Sequence, residues 1–199
     1  MLKKSDKTKQ YILSTAKRLF SQKGYAAVTM KDICEACNLS RGGLYRYFGS
    51  TKEIFLQYLN DDKDDGINKL DECIRNNVPP DRLLQFFFED RKNTRMVGDN
   101  CGLSYAIHEF SHAEPDQQDY MQKRCRAAAD GLIKLLKYGQ DQGVFKNFDL
   151  YSIAMHILMT LDSLETSASV LEINEDTIEK QFKVLYSLVL DDTRGHSFT

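Results

Sequence analysis

Three stretches hold residues whose types and spacing can do chemistry. The first is residues 40–48, Ser-Arg-Gly-Gly-Leu-Tyr-Arg-Tyr-Phe. On a helix Leu44 and Phe48 fall at i and i+4 on one face, which turns Arg41, Gly42, Gly43, Tyr45, Arg46 and Tyr47 outward. That outward set stabilises a fold poorly but suits the DNA major groove. Arginine bonds guanine bidentately, tyrosine hydroxyls reach phosphates, and glycine lets the backbone come close. The second is His108-Glu109-Phe110-Ser111-His112, which spells H-E-x-x-H. On a helix its imidazoles share a face, as in zinc peptidases. A catalytic zinc needs a third protein ligand, however, and no downstream element of the known kinds follows. The third is Cys34-Glu-Ala-Cys37, a C-x-x-C that would pair two thiols on one helix. Small buried cysteine is the plainer reading of it. No Walker loop, dinucleotide glycine motif or Gly-x-Ser-x-Gly elbow is present, so no catalytic residues and no metal are assigned.

The elements around residues 40–48 are spelled out locally. Thr29 reads as an N-cap and Asp32 as its capping-box partner. Ile33, Ala36 and Cys37 share one face of the helix that follows. Asn38 suits the left-handed turn that ends it, and Ser40 caps the next helix, of about 40–48. Ser50 with Glu53 reads as a second capping box, opening a helix that carries Ile54, Phe55, Tyr58 and Leu59. This is a helix-turn-helix.

At these residues the chain resembles the tetracycline-repressor (TetR) family of bacterial regulators. The family pattern runs roughly I-A-x-x-A-G-V-S-x-G-x-L-Y-x-[HY]-F-x-[SN]-K-E-x-L. Ile33, Cys34, Cys37, Asn38, Leu39, Ser40, Gly42, Leu44, Tyr45, Tyr47, Phe48, Ser50 and Ile54 fall in its register without a gap. Cysteines 34 and 37 replace alanines, and Asn38 replaces the turn glycine. Thr51 stands where a phosphate-contacting lysine is usual, with Lys52 one place later. The resemblance is specific over residues 8–58 and architectural beyond.

Charge is divided along the chain. Residues 1–52 hold 11 Lys+Arg against 3 Asp+Glu, and residues 53–199 hold 16 against 26, so a head of +8 precedes a body of −10. A basic head on an acidic body points to a polyanion at one end. Lys3, Lys4, Lys7 and Lys9 form a frayed basic arm that either touches phosphates or keeps the end soluble. Five scattered cysteines, no apolar signal core and no run of about 18 apolar residues fit a reducing cytoplasm and no membrane.

The pattern predicts an all-α protein of about nine helices. Residues 1–50 would be a three-helix helix-turn-helix domain, 51–192 a helical effector-binding and dimerisation domain, and 193–199 a disordered tail. Helices are expected at about 7–23, from Ser50 to Asn76, and at 81–94, 101–113, 115–140, 150–171 and 175–190, with Pro79-Pro80 as a break and residues 95–100 as a loop.

The resemblance implies more. The family dimerises through its last two long helices, which suggests Ile157, Leu161, Leu164, Phe182, Leu185 and Leu188 as interface. Its body encloses a cavity for a small, usually apolar or aromatic molecule, which suggests Phe87, Tyr105, His108, Phe110, Met121, Met155 and Met159 as lining. For double-stranded DNA, Arg41 and then Arg46 would meet bases and the backbone of Gly42 and Gly43 would lie against the DNA. Thr29, Lys31, Ser40, Tyr45, Tyr47, Thr51 and Lys52 would complete the surface, most of them on phosphates. The expected function is a ligand-responsive, homodimeric repressor on a palindromic operator. The alternatives are a metal-dependent hydrolase on the H-E-x-x-H and a DNA binder without ligand control.

Overall fold

The computed structural model describes residues 4–98, 101–171 and 173–190, and of residues 4 and 62–68 the backbone only. The tail expected at 193–199 lies outside these residues. Within them the protein is all-α, with nine α-helices. They are α1 (Lys4–Lys23), α2 (Met30–Cys37), α3 (Arg41–Tyr45), α4 (Thr51–Arg75), α5 (Pro80–Arg91), α6 (Leu103–Ala113), α7 (Gln118–Asp141), α8 (Leu150–Val170) and α9 (Glu175–Val189). A π-helical turn, Lys92–Met96, follows α5, and a 3-10 turn, Pro115–Gln117, precedes α7. The described residues include one isolated bridge, Phe145 to Leu190, which pins the loop after α7 to the end of α9. There Gly139 is required, because a Cβ would stand 1.9 Å from the Phe145 ring.

Most boundaries follow from the caps. Asp149 accepts from the Ser152 N–H and Asn174 from the Thr177 N–H, opening α8 and α9. The departures have local causes. α1 begins at Lys4, three residues before the expected start, so residues 4–6 are helix rather than arm. α3 stops at Tyr45 instead of continuing to Phe48. Its two glycines are weak helix formers, and the Tyr47 and Phe48 N–H groups both fold back on the Leu44 carbonyl. After Arg91 the expected single helix widens into the π turn, which sends Arg95 and Met96 into the interior.

Two cores result. The head core joins Ile12, Leu13, Ala16, Phe20, Ile33, Leu44, Phe48, Ile54 and Phe55. It does not end at residue 50, since Leu59 of α4, Ala106 and Phe110 of α6 and Met121 of α7 complete it. The body core gathers Leu84, Phe88, Leu132, Leu136, Ile157, Leu161, Phe182 and Leu185 among others. The sequence boundary therefore falls inside the head's packing unit.

Candidate nucleic-acid interface

Three caps set the angle of α3. Thr29 and Asp32 exchange bonds: the Asp32 N–H donates to Thr29 Oγ1 at 3.2 Å and the Thr29 N–H to Asp32 Oδ2 at 2.9 Å. The Thr29 hydroxyl, with Lys23 next, holds the Asp32 carboxyl far below the usual carboxylate range. Asn38 takes the left-handed turn at φ 52°. Ser40 Oγ then accepts from the Gly43 N–H at 3.1 Å. With Leu44 and Phe48 buried beneath it, α3 turns Arg41, Gly42, Tyr45 and Arg46 to solvent, Tyr45 being 53% exposed. Nothing lies within 4 Å of the position a Gly42 Cβ would take, so the open approach faces outward.

The C-terminal end of this surface is pre-arranged. The Arg46 guanidinium stands 5.1 Å from the Tyr47 ring centroid and donates to its hydroxyl at 3.1 Å. That bond, followed by bonds from Thr8 and Ser5, holds the Tyr47 hydroxyl below the ordinary phenol pKa. Ser5, Thr8, Leu39, Gly43, Arg46 and Tyr47 line a groove of about 670 Å³ between α1 and α3. Anion-seeking side chains of two elements thus converge on one trough.

Other candidates lie differently. Lys31 is exposed and faces Glu35 at 3.7 Å. Lys9 is turned inward, over the Phe48 ring and bonded to Gln57. Lys52 points to the body, its Nζ lying 2.9 Å from Glu114 and 2.6 Å from Asp116, and Thr51 beside it is half-buried. Lys52 is thus paired with carboxylates of the body, and standing one position later in the pattern it points about 100° further round its helix than the usual lysine. Glu53 likewise reaches the Gly49 N–H, not that of Ser50, so Ser50 caps α4 without closing a box.

The H-E-x-x-H residues are dispersed. His108 Nε2 meets Asp162 of α8 at 3.1 Å, Glu109 accepts from the Ala26 N–H at 3.2 Å, and His112 faces its own helix's carbonyl at residue 108. No cluster of three metal-ligating side chains exists among the described residues. Cys34 and Cys37 are buried in the head core, where burial raises the Cys37 thiol.

The seven residues expected to line a ligand cavity do not face one interior. Phe110 and Met121 are in the head core, Phe87 flanks the body core, Met155 is half-buried, and Tyr105, His108 and Met159 are exposed. Of the six expected interface residues, Ile157, Leu161, Leu164, Phe182 and Leu185 are buried in the body core of the same chain, and Leu188 packs partly against it. Their stripe covers an internal core. The outward faces of α8 and α9 carry instead Met159 (64% exposed) and Val184 (51%).

What sequence reasoning missed is the seam between head and body. Ser21 Oγ donates to the Cys101 carbonyl, and Gly102, at φ 105°, passes so close that a Cβ would sit 2.3 Å from the Ser21 carbonyl oxygen. Tyr25 donates to Glu114 at 2.7 Å. Inside the body, Glu165, 1% exposed, accepts from Ser104 at 2.5 Å and meets Arg91 Nε at 2.6 Å. These partners are 74 or more residues apart, except Ser104 with Glu165 at 61, and no local spacing announces them.

The profile of bacterial regulatory proteins of the tetR family matches residues 12–58. An HTH-type transcriptional regulator of Bacillus subtilis, YfiR, is 31% identical over 167 residues, covering 82% of this chain and 80% of that protein. IcaR of Staphylococcus aureus, a negative transcriptional regulator of the biofilm operon icaADBC, is 36% identical over 88 residues, 41% of this chain and 44% of its own. Among solved structures, a transcriptional regulator of Saccharomonospora viridis in complex with choline superposes with a TM-score of 0.74 at 18% identity, over 94% of this chain and 99% of its own.

Proposed function

Because the chain belongs to the TetR family of bacterial regulators and is a DNA-binding transcriptional regulator, we propose that it acts as a homodimeric repressor whose grip on a palindromic operator is released by a small effector. The observation that carries the DNA-reading part is α3 itself: a short, capped helix in a basic head, anchored by Leu44 and Phe48, with Arg41, Tyr45 and Arg46 facing out. Arg41, in the first turn, is the base reader. Arg46, held by Tyr47, serves the groove rim. Two such heads related by a two-fold axis would meet successive major grooves about 34 Å apart. The outward faces of α8 and α9 supply the surface between copies, since both helices already spend their larger stripe on the body core.

Repressor action is supported by IcaR, a negative regulator by name. Effector control is supported by the choline-bound relative in fold and by the charged interior of this body. Arg95 and Glu165 are buried in the body, Glu165 against Ser104 of α6 and Arg91, and buried charges are costly unless paired, so an effector that altered those pairs would shift the balance of states. An effector would have to favour one state by about 5.5 kcal/mol to carry the population from 1:99 to 99:1. Selection of bound genomic fragments, followed by anisotropy titration, tests the reading. Arg41→Ala should lose about 1–3 kcal/mol on the selected operator and little on random DNA. Equal losses on both would remove Arg41 from base reading. The hydrolase alternative has no support in the family or in the dispersed H-E-x-x-H.

A further inference from the structure

Where the family pattern seats a phosphate-gripping lysine, this chain has a threonine, and the following Lys52 is paired with two carboxylates of the body. We propose that Lys52 is not a DNA ligand but a positioning residue, one side of a latch with Glu114, Asp116 and Tyr25 that fixes the angle of the reading head on the body. In a dimer that angle sets the separation of the two recognition helices, so the inference rests on operator binding as proposed above.

The geometry is specific. Lys52 lies in the first turn of α4, six residues after Arg46 and directly beyond the Ser50 cap, so it moves with the recognition helix. Its ammonium sits between two carboxylates that flank Pro115 at the α6–α7 junction, 2.9 Å from Glu114 and 2.6 Å from Asp116. Glu114 accepts a second bond, at 2.7 Å, from Tyr25, which follows α1. Two elements of the head, the start of α4 and the segment after α1, are thus tied to one turn of the body. The contacts lie beside rings that already interlock, Tyr25 and Phe55 each having a centroid 4.9 Å from that of Phe110. A second tie, Glu109 to the Ala26 N–H, lies one helical turn away. A flexible lysine held by two carboxylates is poorly placed to neutralise a phosphate, since it would have to leave both.

The test compares Lys52→Met, Glu114→Gln, the double variant, Tyr25→Phe, and the charge exchange Lys52→Glu with Glu114→Lys. Each is titrated on the selected operator and on operators with one base pair added or removed between half-sites, across salt. A latch predicts that Lys52→Met and Glu114→Gln each lose about two- to tenfold on the best operator, with two latches per dimer. The double variant loses no more than the worse single one, the penalty for altered spacing shrinks in all of them, and the salt slope stays unchanged. The exchange recovers affinity and spacing preference. A phosphate contact predicts the reverse: the salt slope of Lys52→Met falls by about 0.9 per protomer, Glu114→Gln binds as the parent does, and the exchange is worse than either single change. That result overturns the proposal. Hydrogen exchange on the DNA-free protein gives a second reading. The amides of residues 24–26, 114, 116 and 117 should exchange faster in Lys52→Met, Glu114→Gln and Tyr25→Phe. Unchanged exchange overturns the latch whatever the DNA result, whereas the expected exchange in a protein that selects no operator counts against the DNA-binding reading alone.

Discussion

Phe110→Ala separates two meanings of one side chain. As a lining residue of an effector cavity, Phe110 would be spared by truncation, at a cost below about 1 kcal/mol, because a cavity wall has open space on one side. As the structure has it, Phe110 is fully buried and is the body's plug in the head core, with its ring centroid 4.9 Å from those of Tyr25 and Phe55. Truncating such a phenylalanine costs about 3–5 kcal/mol, of which each aromatic pair supplies about 0.5–1.5. For a chain of ordinary stability that is a large share of the whole. The assay is urea unfolding followed by far-UV ellipticity and by tyrosine fluorescence, which the absence of tryptophan leaves unmasked. The expected outcome is a midpoint lowered by about 4 kcal/mol divided by the m-value, with head and body affected together. Phe110→Leu should recover roughly half. A loss under 1 kcal/mol, or a body that melts early beside an unchanged head, would refute the idea that α6 completes the head core.

Three further outcomes follow from named contacts. Ser40→Ala should cost about 1 kcal/mol in cap energy, concentrated in α3, so operator affinity falls while overall helicity holds; calorimetry and titration together check this. Glu165→Ala should destabilise by about 3 kcal/mol, by stranding Arg91 and Ser104, and Glu165→Leu combined with Arg91→Met should restore much of that in thermal melts. His108→Ala tests pH dependence: the bond to Asp162 raises the His108 pKa in the folded state, whereas that of Asp162 is lowered by His108. A raised histidine contributes its full stability below its unfolded value of about 6.5 and loses it as pH rises through the folded one. The lowered aspartate loses its share only as pH falls below about 3.9. The deficit of His108→Ala should therefore be largest between about pH 4 and 6.5 and shrink toward zero above. Both side chains are about half exposed, so screening limits it to about 0.5 kcal/mol. A deficit that grows with pH would reverse the assignment.

What could be read from the sequence was local. Thr29, Ser40, Ser50, Asp149 and Asn174 each cap the helix expected of them, because a cap depends on three or four neighbouring residues. The outward set of α3 was legible for the same reason, since Leu44 and Phe48 leave it only one way to face. Periodicity, by contrast, states that a face is buried without stating what covers it. Ile157, Leu161, Leu164, Phe182 and Leu185 form the same stripe whether it meets its own body or a second copy, and here it meets its own. Phe110 and Met121 look like any apolar helix residue until the head is seen to need them. Lys52 carries no local sign that its partners lie 62 and 64 residues away.

Those long-range contacts are also what join head to body. A repressor's head has to be rigid in itself and yet movable by something bound elsewhere. Three consecutive residues of α6 meet both demands: His108 holds Asp162 of α8, Glu109 holds the Ala26 N–H of the head, and Phe110 fills the head core. One turn N-terminal, Ser104 grips the buried Glu165 of α8, and just before α6 the Cys101 carbonyl takes the Ser21 hydroxyl of α1. α6 and the residues just before it therefore join α8 to α1 within about one turn. Side chains deform less readily than they repack, so such a seam has few intermediate positions. A helix shared by two cores moves both or neither, and under the proposed function that coupling is the route by which an event in the body would reach the recognition helix.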